Sequence, residues 1–341
     1  MQIKKWFIGY LKKEKNNFRY ILIEEIDKKD FREKIKRVYD YEYLENLLFF
    51  VFENFKDFQS SIKELDKESK NNLNDINNYY LQKHQVNIQR TFFNLINSHR
   101  LLIDHMKHTL SSYKDKKKDD YEFLSKITSL YYDTFAGYKI IDNLRNYCQH
   151  KSLAPLEIIR NSNGDIQILI NKEALKEDKQ IRKKIRLELD KDIPFNFAYL
   201  IKEWFEKIQE IYIYYFDLFA KYSQKNAKFL ISYFSYIKEE LDKKNIELYL
   251  IAGYDEKNID QYSFLPTKSA LHIIDRTQNE NFKKNIDFIT NYVKNQREKD
   301  KERKDLNDKL KEYGIELPKI EIDTFTLSFL NRQIQSERKK S

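Results

Sequence analysis

The fold is expected to be organised around Ile140-Ile141-Asp142-Asn143-Leu144-Arg145-Asn146-Tyr147-Cys148-Gln149-His150, the last turns of a long amphipathic run. Ala154-Pro155 follows and ends any helix. From residue 120 to residue 149, apolar side chains recur every three or four positions, which is typical of a helix with one buried face. An arginine, an asparagine and a histidine therefore lie at the end of this helix, in a reactive site or in ordinary packing.

Long helices are predicted on both sides of this stretch. Five Gly and four Pro in 341 residues leave few positions at which a helix must stop. Helical spacing predicts helices over residues 30–65, 72–112 (with Gln85 as the point of an interruption), 172–190, 195–222 and 226–243. The short connection between 72–112 and 120–149 predicts that these two helices pack antiparallel. Gly137, inside the second of them, indicates a close helix crossing or a slight bend.

Alternating patterns predict a smaller β component. Residues 5–26 alternate loosely around Lys15-Asn16-Asn17, and residues 157–170 alternate around Asn163-Gly164, a preferred hairpin turn. Residues 246–254 and 320–329 are predicted strands, and the charged residues 296–311 favour a solvated helix over a dedicated RNA-binding one. We expect a mainly α fold, an antiparallel helical bundle with small β-hairpin insertions and peripheral β elements.

The same patterns divide the chain into three regions. Residues 1–38 are predicted to form an N-terminal β-hairpin element. Residues 39–243 are predicted to form the helical bundle, with the hairpin insertion at about 157–171. Residues 244–341 are predicted to form a mixed, basic C-terminal region.

Composition restricts the classes of function. Hydrophobic residues make up 41% of the chain, enough for a packed core, so global disorder is not expected. The net charge of +9 indicates an anionic partner such as RNA or DNA, although the acidic residues interleave with the basic ones and Lys, Asn, Ile, Tyr and Phe are all abundant together. One cysteine, Cys148, excludes a disulfide within the chain and a multi-thiolate zinc site. No signal core or bilayer-length apolar segment is found, so a cytoplasmic protein without membrane contact is expected.

Spacing alone leaves the end of the 120–149 helix open to two interpretations. Asp142 precedes Arg145 by three residues and can pair with it, and a histidine at a helix C-terminus is favourable to the helix dipole. Against this, an arginine on a packed face needs a partner or an anion. Arg145 and His150 are about 140° apart around a helix, so both reach one ligand only near a helix end or across an interface.

The sequence Arg145-Asn146-Tyr147-Cys148-Gln149-His150 resembles the signature of the HEPN superfamily, all-helical domains that include many metal-independent ribonucleases of bacterial antiviral and toxin systems. It is similar to a branch that reads Leu-Arg-Asn-Tyr-x-Gln-His, in which Leu144 and Gln149 also match. Residues 97–98 and 104–105 resemble the first-helix pattern of that branch. The resemblance covers residues 75–155 well and 195–243 loosely.

The resemblance implies an endoribonuclease without metal or other cofactor, acting in abortive infection or as a toxin, with a possible antitoxin or defence-system partner. Arg145, Asn146 and His150 would be catalytic, and a homodimer would complete the site because each chain carries one motif. Candidate substrate-binding residues are Tyr138, Lys151, Asp104 and His105. The alternative is a non-catalytic module that binds RNA, nucleotide or protein; a metal site at Asp104, His105 and His108 is a weaker third. His99 lies on the apolar stripe and is interpreted as a core histidine.

Overall fold

The computed structural model describes residues 5–14, 17–71, 78–161, 163–177, 196–236, 247–253 and 259–312. The helices within these residues are α1 (Lys28–Asn71), α2 (Asn78–Ser112), α3 (Lys118–Thr134), α4 (Ala136–His150), α5 (Lys172–Lys176), α6 (Phe197–Ser232), α7 (Thr267–Gln278) and α8 (Glu280–Glu312). The strands are β1 (Lys5–Glu14), β2 (Asn17–Ile26), β3 (Leu156–Arg160), β4 (Ile166–Ile170), β5 (Leu248–Gly253) and β6 (Ile259–Phe264). The expected mainly helical class with small antiparallel sheets is confirmed.

Helix α6 is the centre of the molecule, because α1, α3, α4, α7 and α8 all contact it. Its apolar side chains cover most of its circumference, as expected of a helix that neighbours surround. Asn196 caps its N-terminus: the side-chain oxygen accepts from the backbone N–H of Ala198 and Tyr199. The sequence predicted two helices with a break after Tyr222, and this was wrong. The helix continues through Ser223, which is fully buried, because no Gly or Pro interrupts residues 223–225.

Helices α1 and α2 pack along each other, and α4 runs antiparallel to α2 as predicted. Gln149, near the end of α4, donates to Asn97 in the middle of α2. Asp142 lies two turns earlier on α4, and its charge acts on the pKa of Lys107, which lies further along α2. The predicted interruption of α2 at Gln85 is absent from the described residues, since α2 is continuous from residue 78 to residue 112. This crossing places the end of α4 against the middle of α2.

The predicted helix 120–149 is two helices, α3 and α4, separated at Phe135. The backbone of Phe135 is extended, with φ −105° and ψ 122°. Gly137 follows, and a Cβ added there would lie 2.5 Å from the carbonyl oxygen of Leu200 on α6. The Gly137 N–H also donates to Glu203 Oε2 at 2.6 Å. The close crossing expected at Gly137 is confirmed, whereas the expected slight bend within one helix is a break between two helices at Phe135.

The two predicted hairpins are present. Strands β1 and β2 pair antiparallel, and β1 also pairs with β5, which pairs with β6, giving a four-stranded sheet in the order β2-β1-β5-β6. Strands β3 and β4 form a separate hairpin, closed by the Asn161 N–H donating to Asp165 O at 3.0 Å. Gly164 within that loop has φ 82°, a conformation that favours glycine.

Strand β5 begins two residues after the predicted strand start, and β6 was not predicted. The sheet joins residues from the predicted N-terminal and C-terminal regions, and α1 runs through residue 38. The division at residues 38 and 243 stays a prediction about folding units. The predicted strand 320–329, the start of the 72–112 helix, residues 178–190 and residues 237–243 lie outside the described residues. No helix in the described part is long and apolar enough to span a bilayer.

Candidate functional site

The Arg145 side chain lies at the end of α4 with only 14% of its surface exposed. Its Nη2 donates to Asn146 Oδ1 at 2.6 Å, and its Nε lies 3.6 Å from Asp142 Oδ1. That separation allows an ion pair but is longer than a hydrogen bond, and the buried Nε has no hydrogen-bond acceptor. Two local neighbours therefore hold the guanidinium, and one of its donors is left without an acceptor.

His150 is the last residue of α4 and is exposed, whereas Arg145 is largely buried. Helix α4 ends immediately after it, with the Lys151 N–H donating to Tyr147 O at 2.9 Å. Asn146 Oδ1 accepts from Arg145 Nη2, and no hydrogen bond joins the described Asn146 and His150 side chains. Within one protomer the structure brings Arg145 and Asn146 together and leaves His150 facing outward.

The other motif residues hold the helix in place. Tyr147 is buried, and Cys148 packs against the core, so both are packing residues. Burial raises the pKa of the Cys148 thiol to about 11, so the thiol is protonated at neutral pH. Gln149 Nε2 donates to Asn97 Oδ1 at 3.1 Å, which ties the end of α4 to α2. Lys151 lies over the Tyr147 ring, 5.3 Å from its centroid.

The remaining predicted substrate-binding residues occupy different places. Tyr138 is buried, and burial followed by the Asp142 charge raises the pKa of its hydroxyl. His105 lies edge-to-face against Tyr43 of α1, with ring centroids 5.2 Å apart. Asp104 accepts from Arg100 Nε at 2.8 Å. No group of three or more His, Cys, Asp or Glu side chains suited to a metal ion occurs in the described part of the chain.

A polar cleft of about 260 Å³ opens beside Tyr138, between α2, α3 and α4. Asp142 lines it from α4, and Arg100 and Lys107 line it from α2. The pKa of Lys107 is lowered, first by burial and then by Arg100. These two cations were missed by sequence reasoning. Their spacing of seven residues, two helical turns, was the available signal that they share one face.

His99 closes the inner end of this cleft. Its Nδ1 lies 2.6 Å from the Tyr212 hydroxyl of α6, and the ring is buried. Burial lowers the pKa of His99 to about 3, with smaller contributions from Arg100 and Arg145. The interpretation of His99 as a core histidine is confirmed. The motif adjoins the cleft through Asp142, which lines the cleft and lies 3.6 Å from Arg145 Nε.

Comparison with protein-family models, with curated proteins and with solved structures gives no match to this chain. The arrangement at the end of α4 is therefore interpreted from its own chemistry. It offers a fixed guanidinium, an amide, an exposed imidazole and an adjoining cleft with both cationic and anionic walls.

Proposed function

We propose that this chain is a metal-independent endoribonuclease of the HEPN type, with Arg145, Asn146 and His150 as its reacting residues. The observation that carries the proposal is the contrast at the end of α4. The buried Arg145 Nε has no hydrogen-bond acceptor, and the imidazole five residues later is exposed at the helix end. A phosphodiester oxygen is an acceptor suited to a guanidinium, and an exposed histidine is suited to proton transfer near neutral pH.

The reaction follows from these groups. A base takes the proton from a ribose 2′-hydroxyl, whose oxygen then attacks the adjacent phosphorus. The bond from phosphorus to the 5′-oxygen breaks, and an acid gives that oxygen a proton. The products are a 2′,3′-cyclic phosphate and a 5′-hydroxyl. Arg145 neutralises the charge that accumulates on the phosphate oxygens, because its charge is permanent and its donors are fixed.

One chain supplies only part of this machinery. His150 has a single imidazole, and the reaction needs both a base and an acid. Arg145 and His150 also point in directions about 140° apart around the helix. A second copy that brings its own helix end against the first supplies the missing imidazole. The exposure of His150 leaves it accessible to such a partner. We therefore include a homodimer in the proposal.

The direct test is cleavage of end-labelled RNA by the purified chain in EDTA. We expect His150→Ala and Arg145→Ala each to lower the rate by about 100-fold or more, the usual range for loss of proton transfer or charge stabilisation. His108→Ala and Arg90→Ala are matched controls, since both residues are exposed on α2 and neither belongs to the motif. Thermal unfolding of each variant separates loss of chemistry from loss of fold. Cleavage by both motif variants at the wild-type rate would refute the assignment.

A second candidate is a non-catalytic module that binds RNA, nucleotide or protein. It is favoured by the Arg145 contacts with Asn146 and Asp142, which occupy the guanidinium within the protomer. Measurable RNA affinity without cleavage of any substrate would support this alternative. A role in defence or as a toxin predicts that expression of the wild-type chain slows bacterial growth and that the His150→Ala chain does not.

A further inference from the structure

A cation-lined cleft of about 610 Å³ lies away from the α4 end. It is enclosed by the first turns of α1, the connection from α2 to α3 and the last third of α6. Its position can be gauged along α2. Asn97 contacts the end of α4, and Ser112 lines the cleft. At a rise of 1.5 Å per residue, Ser112 is about 22 Å further along α2 than Asn97.

Positive charge dominates the walls of this cleft. Five cationic side chains and two carboxylates, Glu33 and Asp40, line it; the cations are Lys34, Lys36, Arg37, Lys114 and Lys225. A concave surface of one sign concentrates ions of the opposite sign. The volume is also within the usual range for a small-molecule site.

Three of the lysines are not used in structural ion pairs. Lys36, Lys114 and Lys225 are exposed, and none of them forms an ion pair within 4 Å of a carboxylate in the described residues, although the charge of Lys36 also acts on Asp40 in the wall of the cleft. Neighbouring lysines differ: Lys34 pairs with Asp30, and Lys221 pairs with the buried Asp120. Lys36, Lys114 and Lys225 reach the cleft from three separate elements, so they surround it.

Hydrogen bonds and an ion pair hold the walls between these lysines. Arg37 donates to Tyr222 O at 2.9 Å, pairs with Asp115 and lies over the Tyr113 ring. Lys116 Nζ donates to the carbonyl oxygens of Ser111 and Tyr113, at 2.6 and 3.1 Å. These bonds neutralise the negative end of the α2 dipole, which would otherwise repel an anion beside Ser112.

We propose that this cleft binds the phosphate groups of a nucleotide or of an RNA strand, with Lys36, Lys114 and Lys225 as the contacting cations. The ring of Phe229 forms an apolar wall of the same cleft and is only partly buried, so a base can pack beside the phosphates. The inference does not rest on the proposed cleavage reaction, because none of its residues belongs to the α4 motif.

The test measures binding of two probes to the full chain by calorimetry and fluorescence anisotropy: ATP, and a single-stranded 2′-O-methyl RNA that lacks the attacking hydroxyl. The cleft variant is Lys36→Gln/Lys114→Gln/Lys225→Gln. The matched control is Lys63→Gln/Lys67→Gln/Lys83→Gln, three exposed lysines that likewise form no ion pair in the described residues. Both variants lose the same charge, and neither touches the motif.

We expect the cleft variant to bind at least one probe about tenfold more weakly, with the control within about twofold of wild type. If RNA is the ligand, the slope of log affinity against log salt falls by about 2, since three phosphate contacts are lost. If only ATP binding weakens, the ligand is a free nucleotide. Wild-type affinity of the cleft variant for both probes, or an equal loss in the control, overturns the proposal. Cleavage by the cleft variant reports on the α4 motif separately.

Discussion

Asp142 and Arg145 lie one turn apart on α4, with the carboxylate Oδ1 3.6 Å from the guanidinium Nε. The carboxylate is about one-third exposed, and it also lines the polar cleft between α2, α3 and α4. It therefore steadies the arginine without satisfying its Nε hydrogen. For an anionic ligand this carboxylate is a repulsive charge beside an attractive one.

Replacing Asp142 with Asn should tighten RNA binding. The substitution keeps the shape of the side chain and removes a negative charge beside the proposed phosphate position. The gain is about 1 kcal/mol, or roughly fivefold in affinity, for a pair near water. Binding of a 2′-O-methyl RNA measures it, and Asp57→Asn on the exposed side of α1 controls for net charge. Unchanged RNA affinity in Asp142→Asn would mean that the Asp142–Arg145 pair is structural and does not lie beside a bound phosphate.

Mixing wild-type and His150→Ala chains should show whether two copies of His150 share one site. After subunit exchange with a ninefold excess of the variant, activity per wild-type chain should fall about tenfold, since nearly all wild-type chains then have an inactive partner. Cleavage rate at constant wild-type concentration is the measurement. An excess of His108→Ala chains is the control. Undiminished activity per wild-type chain would mean that each protomer acts alone.

Gly137→Ala should destabilise the fold, although alanine has the higher helix propensity. The new Cβ would lie 2.5 Å from a backbone oxygen of α6, so one helix must move. Overpacking of this kind costs about 1–3 kcal/mol, which outweighs the propensity term. Chemical denaturation measures the difference, with Ala136→Ser at the neighbouring exposed position as control. Increased stability of Gly137→Ala would show that the crossing is loose.

Acid should weaken the fold through His99. Its pKa is about 3 in the folded chain and near 6.5 when unfolded, so below pH 6.5 the unfolded state binds the extra proton. Stability is unaffected above that pH and falls as the pH drops toward 3. Between pH 8 and pH 5 the loss is about 2 kcal/mol. His99→Gln should lack this component in denaturation at the two pH values. Identical pH dependence in both proteins would contradict a neutral buried His99.

Local patterns were sufficient to predict the hairpins β1–β2 and β3–β4 and most of the helices. The break at Phe135 was not predictable from its own segment, because the contacts beside it, from Gly137 to Leu200 and Glu203, come from a helix about 65 residues away in sequence. Most side chains of strand β6 are exposed, and the strand is held by its pairing with β5. A periodicity within one segment does not predict such a pairing. At the site, the helical pattern of the sequence correctly placed Arg145 and His150 in the last turns of one helix. The cleft cations Arg100 and Lys107 became apparent only once α2 and α3 were placed beside Asp142.

The pairing of β1 with β5 has a consequence for how the chain is made. When β1 leaves the ribosome, its open side has no partner until β5 follows roughly 240 residues later, and such distant pairing is slow to form. Through most of synthesis, that open strand is a place where another nascent chain can attach. Once the sheet has closed, a single protease cut in an intervening loop would leave two fragments held together by it.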